Sequence, residues 1–336
     1  MLVTVVIPTF NRASLLRDSV PLLMNQEVGA NTSYEVIFVN NGSDDSTEEV
    51  LSAATREYPG KLRYLSIEPS GGPSAPRNAG IRAAKGSVIV ILDDDLMPDP
   101  DLIQRHAEYH MQFPEKEAAA VGVAYVPKYM KANPVSLFHE FDYRPLRTGG
   151  TISYIYFWTC NLSIKRDFML DYGMFDERYL YNEDLVCGHR LAGHGLQLRF
   201  CESARGQHIH QLKLEDAPTK GTFIGRWIWA TTQAIPEPEI LDRYGVLSMR
   251  LGFWRYSKRL LNRMAFPLLD NIVARAILRQ LGAQSGVRSR VSDIYYYVAY
   301  RKKILAGYRE AKQAAKRCRR DGLVLEPCEL VRSLPG

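Results

Sequence analysis

The 336-residue sequence lacks the long hydrophobic run of a membrane-spanning protein. A spanning helix needs ~18 uninterrupted apolar residues. The longest candidate, 266–283, is interrupted by Asp270, Asn271, Arg275 and Arg279. The N-terminus has neither a basic start nor a small-residue cleavage site, so we expect no signal peptide.

Cysteine is scarce and shows no pattern. The five cysteines, at positions 160, 187, 201, 318 and 328, form no CxxC pair. Their odd number and spacing argue against a disulfide scaffold and a zinc cluster, and favour a reducing cytoplasm. The GxGxxG and P-loop fingerprints of nucleotide-binding proteins are also absent.

Charge is unevenly distributed. Residues 251–320 contain 17 Lys and Arg against 3 Asp and Glu, a net charge of +14. Because the whole chain carries +6, the remainder carries −8. We expect the basic tail and the acidic body to contact different partners.

The first half alternates strand and helix signals. Apolar, β-branched segments that are separated by helical patterns lie at 2–7, 34–39, 62–67 and 87–92. Such continuous apolar strands predict an α/β fold with a mostly parallel sheet and helices on both faces.

The middle of the chain gives mixed signals. It predicts a strand at 119–126, an aromatic strand at 152–158 and a helix from about Glu183. From about Thr222 onward the patterns are helical.

Three consecutive carboxylates, Asp93, Asp94 and Asp95, follow the most continuous apolar strand. Ligands of open parallel sheets bind beyond the carboxyl ends of the strands. Carboxylates at that position can hold a hard divalent cation that bridges phosphate oxygens. A solvated loop or a helix cap is the alternative, but adjacent carboxylates repel one another without a cation or an arginine. The repulsion favours a binding site.

Two turns offer polar groups at helix starts. Residues 8–12 follow the first strand and residues 40–43 follow the second. Backbone N–H groups at such positions suit phosphate and base recognition. Taken singly, each segment is more simply interpreted as a plain turn.

Further candidate catalytic and metal-binding residues lie among the carboxylates and histidines. The pair Glu183-Asp184 could supply a general base, or could favour a helix N-terminus through its charge. His208 and His210 would point to one face of a strand, and one of them could bind a metal. His106 and His110 lack the HExxH order of zinc proteases, so we interpret them as part of a solvated helix face.

Five segments in this order resemble motifs of the family 2 glycosyltransferases, which have the GT-A fold. They read VVIPTFNR (5–12), VNNGSDDST (39–47), GGPSAPRNAGI (71–81), ILDDDLMPDPDL (91–102) and FDE…NEDLVCGHRL (175–191). The resemblance covers roughly residues 3–210, and all five motifs together make it specific.

The resemblance implies a domain organisation. A GT-A catalytic domain with a Rossmann-like nucleotide-binding sheet would span 1–215. Its nucleotide-sugar-binding half would be about 1–117, and its acceptor and base half 118–215. A mostly helical, basic C-terminal extension would follow at 216–336.

The resemblance also implies roles for single residues. Those matched to the nucleotide-sugar pocket are Pro8, Thr9, Asn11, Arg12, Asn41, Arg77, Asn78, Asp93 and Asp94. Asp93 and Asp95 match the ends of the family's DxD motif and would bind Mn²⁺ or Mg²⁺. His208 or His210 would complete the metal shell. Asp184 matches the second acid of the family's ED motif and would be the catalytic base, with Glu183 as the first alternative.

The implied activity is inverting transfer of one sugar from a nucleoside diphosphate sugar to an acceptor hydroxyl. Asn40 and Asn41 stand where the family usually has at least one Asp, so UDP is only the default nucleotide. Val186 replaces a frequent acidic residue. Phe223 stands where processive members have the Gln of QxxRW, so we expect one sugar per event.

Two other function classes fit the sequence less well. A nucleotidyltransferase would want a glycine-rich loop after the first strand, which residues 8–11 do not provide. A non-catalytic nucleotide-sugar-binding scaffold would be expected to lose Asp95 or Asp184, and both are present.

The basic tail leaves several interpretations open. Tyrosines interleave with Lys and Arg between 295 and 320. This pattern fits a helix on an anionic membrane, an anionic acceptor site, an oligomer interface or a solvated helical cap. No nucleic-acid recognition motif accompanies the charge. The acceptor would be a saccharide, a lipid-linked molecule or a small metabolite, and the sequence specifies neither the sugar nor the oligomeric state.

Overall fold

The structure is a computed structural model that describes residues 1–130, 141–209, 217–237, 240 and 290–335. The chain divides into two compact units. One comprises Met1–Pro127 and Phe141–His210, and the other comprises Lys128–Glu140 and Gln211–Gly336.

The first unit is an α/β unit. Its strands are β1 (Leu2–Thr9), β2 (Ser33–Asn40), β3 (Leu62–Ser66), β4 (Val88–Leu92), β5 (Leu96–Pro98), β6 (Ala118–Tyr125), β7 (Asn161–Lys165) and β8 (Gln197–His208). Its helices are α1 (Ala13–Met24), α2 (Thr47–Glu57), α3 (Ser74–Ala83), α4 (Leu102–Gln112), α5 (Arg166–Asp171) and α6 (Glu183–Ala192).

The strands form one sheet in the order β3-β2-β1-β4-β7-β6-β8-β5. Strands β1 to β4 are mutually parallel. β7 runs antiparallel to its two neighbours, and β6 and β8 pair in parallel. All five residues of β4 are buried, as expected for a strand that is covered on both faces. The predicted mostly parallel α/β fold is confirmed.

The strand order determines where polar groups can meet. The chain moves outward from β1 through β2 to β3 and then returns to place β4 on the other side of β1. The carboxyl ends of β1 and β4 therefore flank the point where the order reverses. In open α/β sheets this is the point at which ligands bind.

The predicted aromatic strand at 152–158 is wrong. The segment contains a short 3₁₀ turn at Tyr154–Tyr156, and the side chain of Ser153 accepts a hydrogen bond from the backbone of Ile155. The aromatic residues have high strand propensity, but a local serine cap stabilises a turn instead.

The interpretation of His106 and His110 as a solvated helix face is also wrong. Both side chains are completely buried. His106 contacts Ser163 Oγ through Nδ1 and Asn161 Oδ1 through Nε2, each at 2.8 Å. His110 Nε2 contacts the same Ser163 Oγ at 2.9 Å. The Asn161 amide in turn donates to the carbonyl of Ala204 at 3.0 Å. The two histidines thus tie α4 to β7 in the interior.

Burial keeps these histidines neutral. It lowers the pKa of His106 to about 4, although the hydrogen bond with Asn161 acts in the opposite direction. Burial and the nearby charge of Lys165 lower the pKa of His110 to about 2. An unfolded histidine titrates near ~6.5, so the unfolded chain binds more protons than the folded one below that pH.

The second unit is helical in its described part. It contains α7 (Ala217–Ala234), α8 (Arg290–Arg320) and α9 (Pro327–Ser333). α7 and α8 lie so close that a Cβ on Gly225 would clash with the backbone of Ile304. Arg226 of α7 binds both carboxylate oxygens of Glu310 on α8, at 2.9 and 3.0 Å.

Among the described residues, the structure contains no helix with the length and hydropathy that a bilayer crossing requires. The apolar sequence candidate at 266–283 lies outside the described residues.

We predict that the free energy of unfolding falls as the pH drops from ~6.5 toward ~4. Each buried histidine contributes a slope of up to ~1.4 kcal/mol per pH unit, because unfolding takes up a proton. Urea unfolding at several pH values measures this slope. His106→Asn should reduce the slope, whereas the control His194→Asn changes an exposed histidine and should not. An unchanged slope in His106→Asn would contradict the assignment.

Candidate functional site

The turns after β1 and β2 are joined by hydrogen bonds. Asn11, in the left-handed region with φ 54, donates from Nδ2 to Asp44 Oδ1 at 2.6 Å. Its own Oδ1 accepts from the Asp44 backbone at 3.0 Å. The backbone N–H of Asn11 donates to Ser43 Oγ at 2.9 Å, and that of Arg12 donates to Thr47 Oγ1 at 2.8 Å. The two polar turns therefore form one continuous rim beside the sheet.

The middle carboxylate of the acidic run is held by the first turn. Asp94 accepts a hydrogen bond from Thr9 Oγ1 at 2.8 Å and lies 3.4 Å from Arg12 Nε. Burial and the neighbouring charge of Asp95 raise the pKa of Asp94 to about 7, against the opposing effects of Arg12 and Thr9. Asp94 thus connects the end of β4 to the turn after β1.

The outer two carboxylates meet a histidine. Asp93, Asp95 and His208 each offer a ligand atom, and these atoms all lie within 4.8 Å of one another. His208 Nε2 is 3.2 Å from Asp95 Oδ1, because β5 pairs with the end of β8 and places Leu96 opposite His208. Two carboxylates and an imidazole are a donor set that fits a divalent cation such as Mn²⁺. His210, the other predicted ligand, lies outside the described residues.

A buried arginine joins this cluster to α6. Arg77, on α3, is only 4% exposed. Its Nη2 donates to Asp93 Oδ1 at 2.9 Å and its Nη1 to Glu183 Oε1 at 2.5 Å. Burial alone would lower the pKa of Arg77, but the charges of Glu183 and Asp93 raise it above its ordinary value. The guanidinium therefore stays charged and bridges two protein carboxylates.

Asp184 occupies the first turn of α6, next to Glu183. Asn182 precedes the helix in the left-handed region with φ 61, which turns the chain into the helix. The backbone N–H of Leu185 donates to Asp184 Oδ1 at 2.7 Å. A helix N-terminus stabilises the ionised form of a carboxylate.

Three of the candidate carboxylates act electrostatically on one buried thiol. Burial raises the pKa of Cys160 well above its ordinary value, and the charges of Asp93, Asp184 and Asp95 raise it further. All three acids therefore lie close enough to Cys160 to act on it electrostatically. The structure thus brings together residues from the turn after β4, from α6 and from the position just before β7.

Asn41 binds the neighbouring loop. Its Oδ1 accepts from the backbone N–H of Ser70 at 3.0 Å and from Ser70 Oγ at 2.9 Å. Its Nδ2 donates to the carbonyl of Gly72 at 3.3 Å. A carboxylate could not make this last bond, because it has no N–H. The contact gives a physical reason for an amide where the resemblance leads one to expect an acid.

Asn78 is also bound by the protein. Its Nδ2 donates to the carbonyl of Phe175 and to Glu177 Oε1, both at 2.9 Å. Its Oδ1 accepts from the backbone of Phe175 at 2.9 Å. The side chain fixes the segment that leads to α6. Its predicted contact with a nucleotide stays a prediction.

Aromatic rings were not singled out by the sequence as part of the site. The ring of Tyr154 packs edge-on against His189 of α6 at 5.2 Å. Phe141 packs on Trp158 at 4.3 Å and stacks on His208 at 6.4 Å. The sequence signal that could have identified these rings was the aromatic run at 154–158, but its residue types predict a strand.

The chain is similar to known glycosyltransferases. The model of the family described as Glycosyl transferase family 2 matches residues 4–168. A validoxylamine A glucosyltransferase of Streptomyces hygroscopicus subsp. jinggangensis is 28% identical over 268 residues, which cover 70% of this chain and 62% of that protein. The minor teichoic acid biosynthesis protein GgaA of Bacillus subtilis is 23% identical, with 63% and 47% covered. The chain thus spans less than two thirds of the length of these relatives.

Solved structures share the fold. TarS residues 1–349 of S. aureus, in complex with UDP, align with a TM-score of 0.55 and 15% identity, covering 96% of this chain and 92% of that one. The mannosyltransferase PcManGT of Pyrobaculum calidifontis, in complex with GDP-Man and Mn²⁺, aligns with a TM-score of 0.58 and 16% identity, covering 90% and 87%. The predicted GT-A fold is confirmed, and the family model together with the glycosyltransferase relatives supports the resemblance of the chain to glycosyl transferase family 2.

Proposed function

We propose that this chain is a metal-dependent, inverting glycosyltransferase. It would move one sugar from a nucleoside diphosphate sugar, UDP by default, to an acceptor hydroxyl. The observation that carries the proposal is the cluster of Asp93, Asp95 and His208 at the switch point of the sheet. The complexes of TarS with UDP and of PcManGT with GDP-Man and Mn²⁺ support a nucleotide donor and a cation.

The metal-binding residues would be Asp93, Asp95 and His208. A bound Mn²⁺ or Mg²⁺ supplies positive charge to a departing diphosphate. Arg12 adds a second positive group to the same rim, because its partly exposed guanidinium lies beside Asp94. Stabilisation of charge that develops during the reaction is the contribution that raises turnover most.

Asp184 would be the catalytic base. Its carboxylate would accept the proton of the acceptor hydroxyl while that oxygen attacks the anomeric carbon from the face opposite the diphosphate. Glu183 suits this task less well, because it is buried and its Oε1 is bound by Arg77 at 2.5 Å. A single displacement of this kind inverts the anomeric configuration.

Arg77 would be a positioning residue. Its guanidinium binds Asp93 of the metal cluster and Glu183, the neighbour of the base. It would therefore fix the distance between the site of the cation and the start of α6. Direct contact with the diphosphate, which the resemblance implies, is less consistent with a side chain that is 4% exposed.

The remaining partners follow from this proposal. The acceptor would be a saccharide, a lipid-linked molecule or a small metabolite with a free hydroxyl. Aromatic rings beside α6, such as Tyr154, offer apolar surface of the kind that lines ligand pockets. We propose a cytoplasmic location, which the five free cysteines support.

Asp184→Asn should lower turnover by ~10²–10⁴-fold, because the amide cannot accept the acceptor proton. Donor affinity should stay near that of the wild type. Release of nucleoside diphosphate in the presence of a saccharide panel measures turnover, and calorimetry measures donor binding. Asp167→Asn removes an exposed acid of the same unit and serves as the matched control. Wild-type turnover in Asp184→Asn would remove Asp184 from the mechanism. If the wild-type protein binds the donor but shows no turnover, the result would favour the non-catalytic nucleotide-sugar-binding scaffold.

Arg77→Gln should lower the free energy of unfolding by ~3–5 kcal/mol, because it leaves the buried carboxylate of Glu183 and the partly buried carboxylate of Asp93 without their cation. The control Arg178→Gln breaks a more exposed pair with Asp176 and should cost at most ~1 kcal/mol. Urea unfolding measures both. In a double-mutant cycle, Glu183→Gln should cost less in the Arg77→Gln background than in the wild type. Additive effects would show that the two side chains do not interact.

A further inference from the structure

An apolar tip projects from the helical unit. Leu323, Val324 and Leu325 connect α8 to α9 and are 56%, 95% and 43% exposed. Water contact of three consecutive large apolar side chains is unfavourable. Contiguous apolar surface of this kind commonly marks a place where a protein binds a partner or a membrane.

The tip is held by ordered helix ends. Gly322 adopts φ 75, and the backbone N–H of Leu323 donates to the carbonyl of Cys318 at 2.8 Å. This is the glycine-terminated ending that is typical of helices. On the other side, Glu326 and Glu329 form a capping box at the start of α9. The fixed ends display the apolar residues outward.

Cations surround the base of the tip. Lys316, Arg317, Arg319 and Arg320 are exposed in the last turns of α8. Arg320 lies 3.4 Å from Asp321, whereas the other three form no ion pair with a described carboxylate. Among residues 316–335, the other acids are Glu326 and Glu329, which form the capping box of α9.

The buried face of α8 lies opposite these cations. Its buried residues Ala311, Ala314 and Ala315 recur at helical spacing. In this described part of α8 the apolar stripe is therefore already covered. The last turns of the helix do not need to insert into an apolar phase, and the tip is the longest run of exposed large apolar side chains among the described residues of this unit.

We propose that residues 316–325 bind the surface of an anionic lipid bilayer. Val324 and its two leucine neighbours would enter the boundary between headgroups and acyl chains, and the cations would contact lipid phosphates. Apolar side chains beside Lys and Arg are the combination that such interfaces bind. A soluble polyanion would use the cations but not the tip.

A second copy of the chain fits less well. A stable protein interface buries ~800 Å² on each partner, and the three exposed apolar side chains of the tip provide much less. The sequence suggested tyrosines of the basic tail as membrane anchors. Two of them have described side chains, and they do not suit this role because Tyr300 is buried and Tyr308 is partly buried. The membrane contact is thus assigned to the tip rather than to those tyrosines.

Co-sedimentation with vesicles tests the proposal. The full chain should bind phosphatidylglycerol vesicles and bind phosphatidylcholine vesicles weakly. Replacing Arg317, Arg319 and Arg320 with Gln should weaken binding at least tenfold, since each basic side chain contributes about a factor of five. Val324→Asp should also abolish most binding. Unchanged helix content and donor affinity would show that these variants are folded.

A tryptophan at the tip reports insertion directly. When the Val324→Trp variant is bound to anionic vesicles, lipids with brominated acyl chains should quench its tryptophan fluorescence more than they quench that of the wild-type protein. Gln313→Trp, at an exposed position on the same helix, should show little additional quenching. Binding that depends on charge but not on the tip would overturn the proposal in favour of a polyanion site. No vesicle binding, with a change from dimer to monomer in Val324→Asp, would overturn it in favour of a protein interface.

Discussion

The buried guanidinium of Arg77 is the interaction on which the candidate site depends. A site for a charged diphosphate needs carboxylates to hold a cation, yet three adjacent carboxylates repel one another. The structure gives each a separate partner: Arg77 for Asp93, Thr9 and Arg12 for Asp94, and His208 for Asp95. These partners come from three different parts of the chain: residues 9–12, α3 and the end of β8. The acidic run is therefore stable only when the first unit is folded.

Amide side chains hold the turns and loops around the candidate site. Asn11 joins the turns after β1 and β2, Asn41 holds the loop before α3, and Asn78 holds the segment before α6. Each uses both its donor and its acceptor, which a carboxylate cannot do. This explains why the polar rim contains asparagine. It also means that base recognition would depend on groups other than the Asn41 oxygen, which already accepts two hydrogen bonds.

Sequence reasoning identified the fold because its signals are local and repeated. Buried strands such as β4 are continuous apolar runs, and the acidic run follows one of them directly. Repulsion within the acidic run indicated that a cation or an arginine was needed. The resemblance named Arg77 as a pocket residue, but no local pattern could identify it as the partner of Asp93, from which it is 16 residues away in the chain. The burial of His106 had a usable signal, because it lies four residues after the buried Leu102 on the same helical face. The turn at 154–156 had no such signal. Its residues have high strand propensity, and a single serine cap determined the turn instead.

The central claim is that Asp93, Asp95 and His208 hold a cation that binds the nucleotide. Calorimetric titration of UDP, dTDP, GDP and CDP, with and without Mn²⁺, tests it in the wild type and in Asp95→Ala. The account predicts that one nucleotide binds tightly only with Mn²⁺, and that Asp95→Ala loses this binding while it remains folded. Binding that is independent of both Mn²⁺ and Asp95 would contradict it.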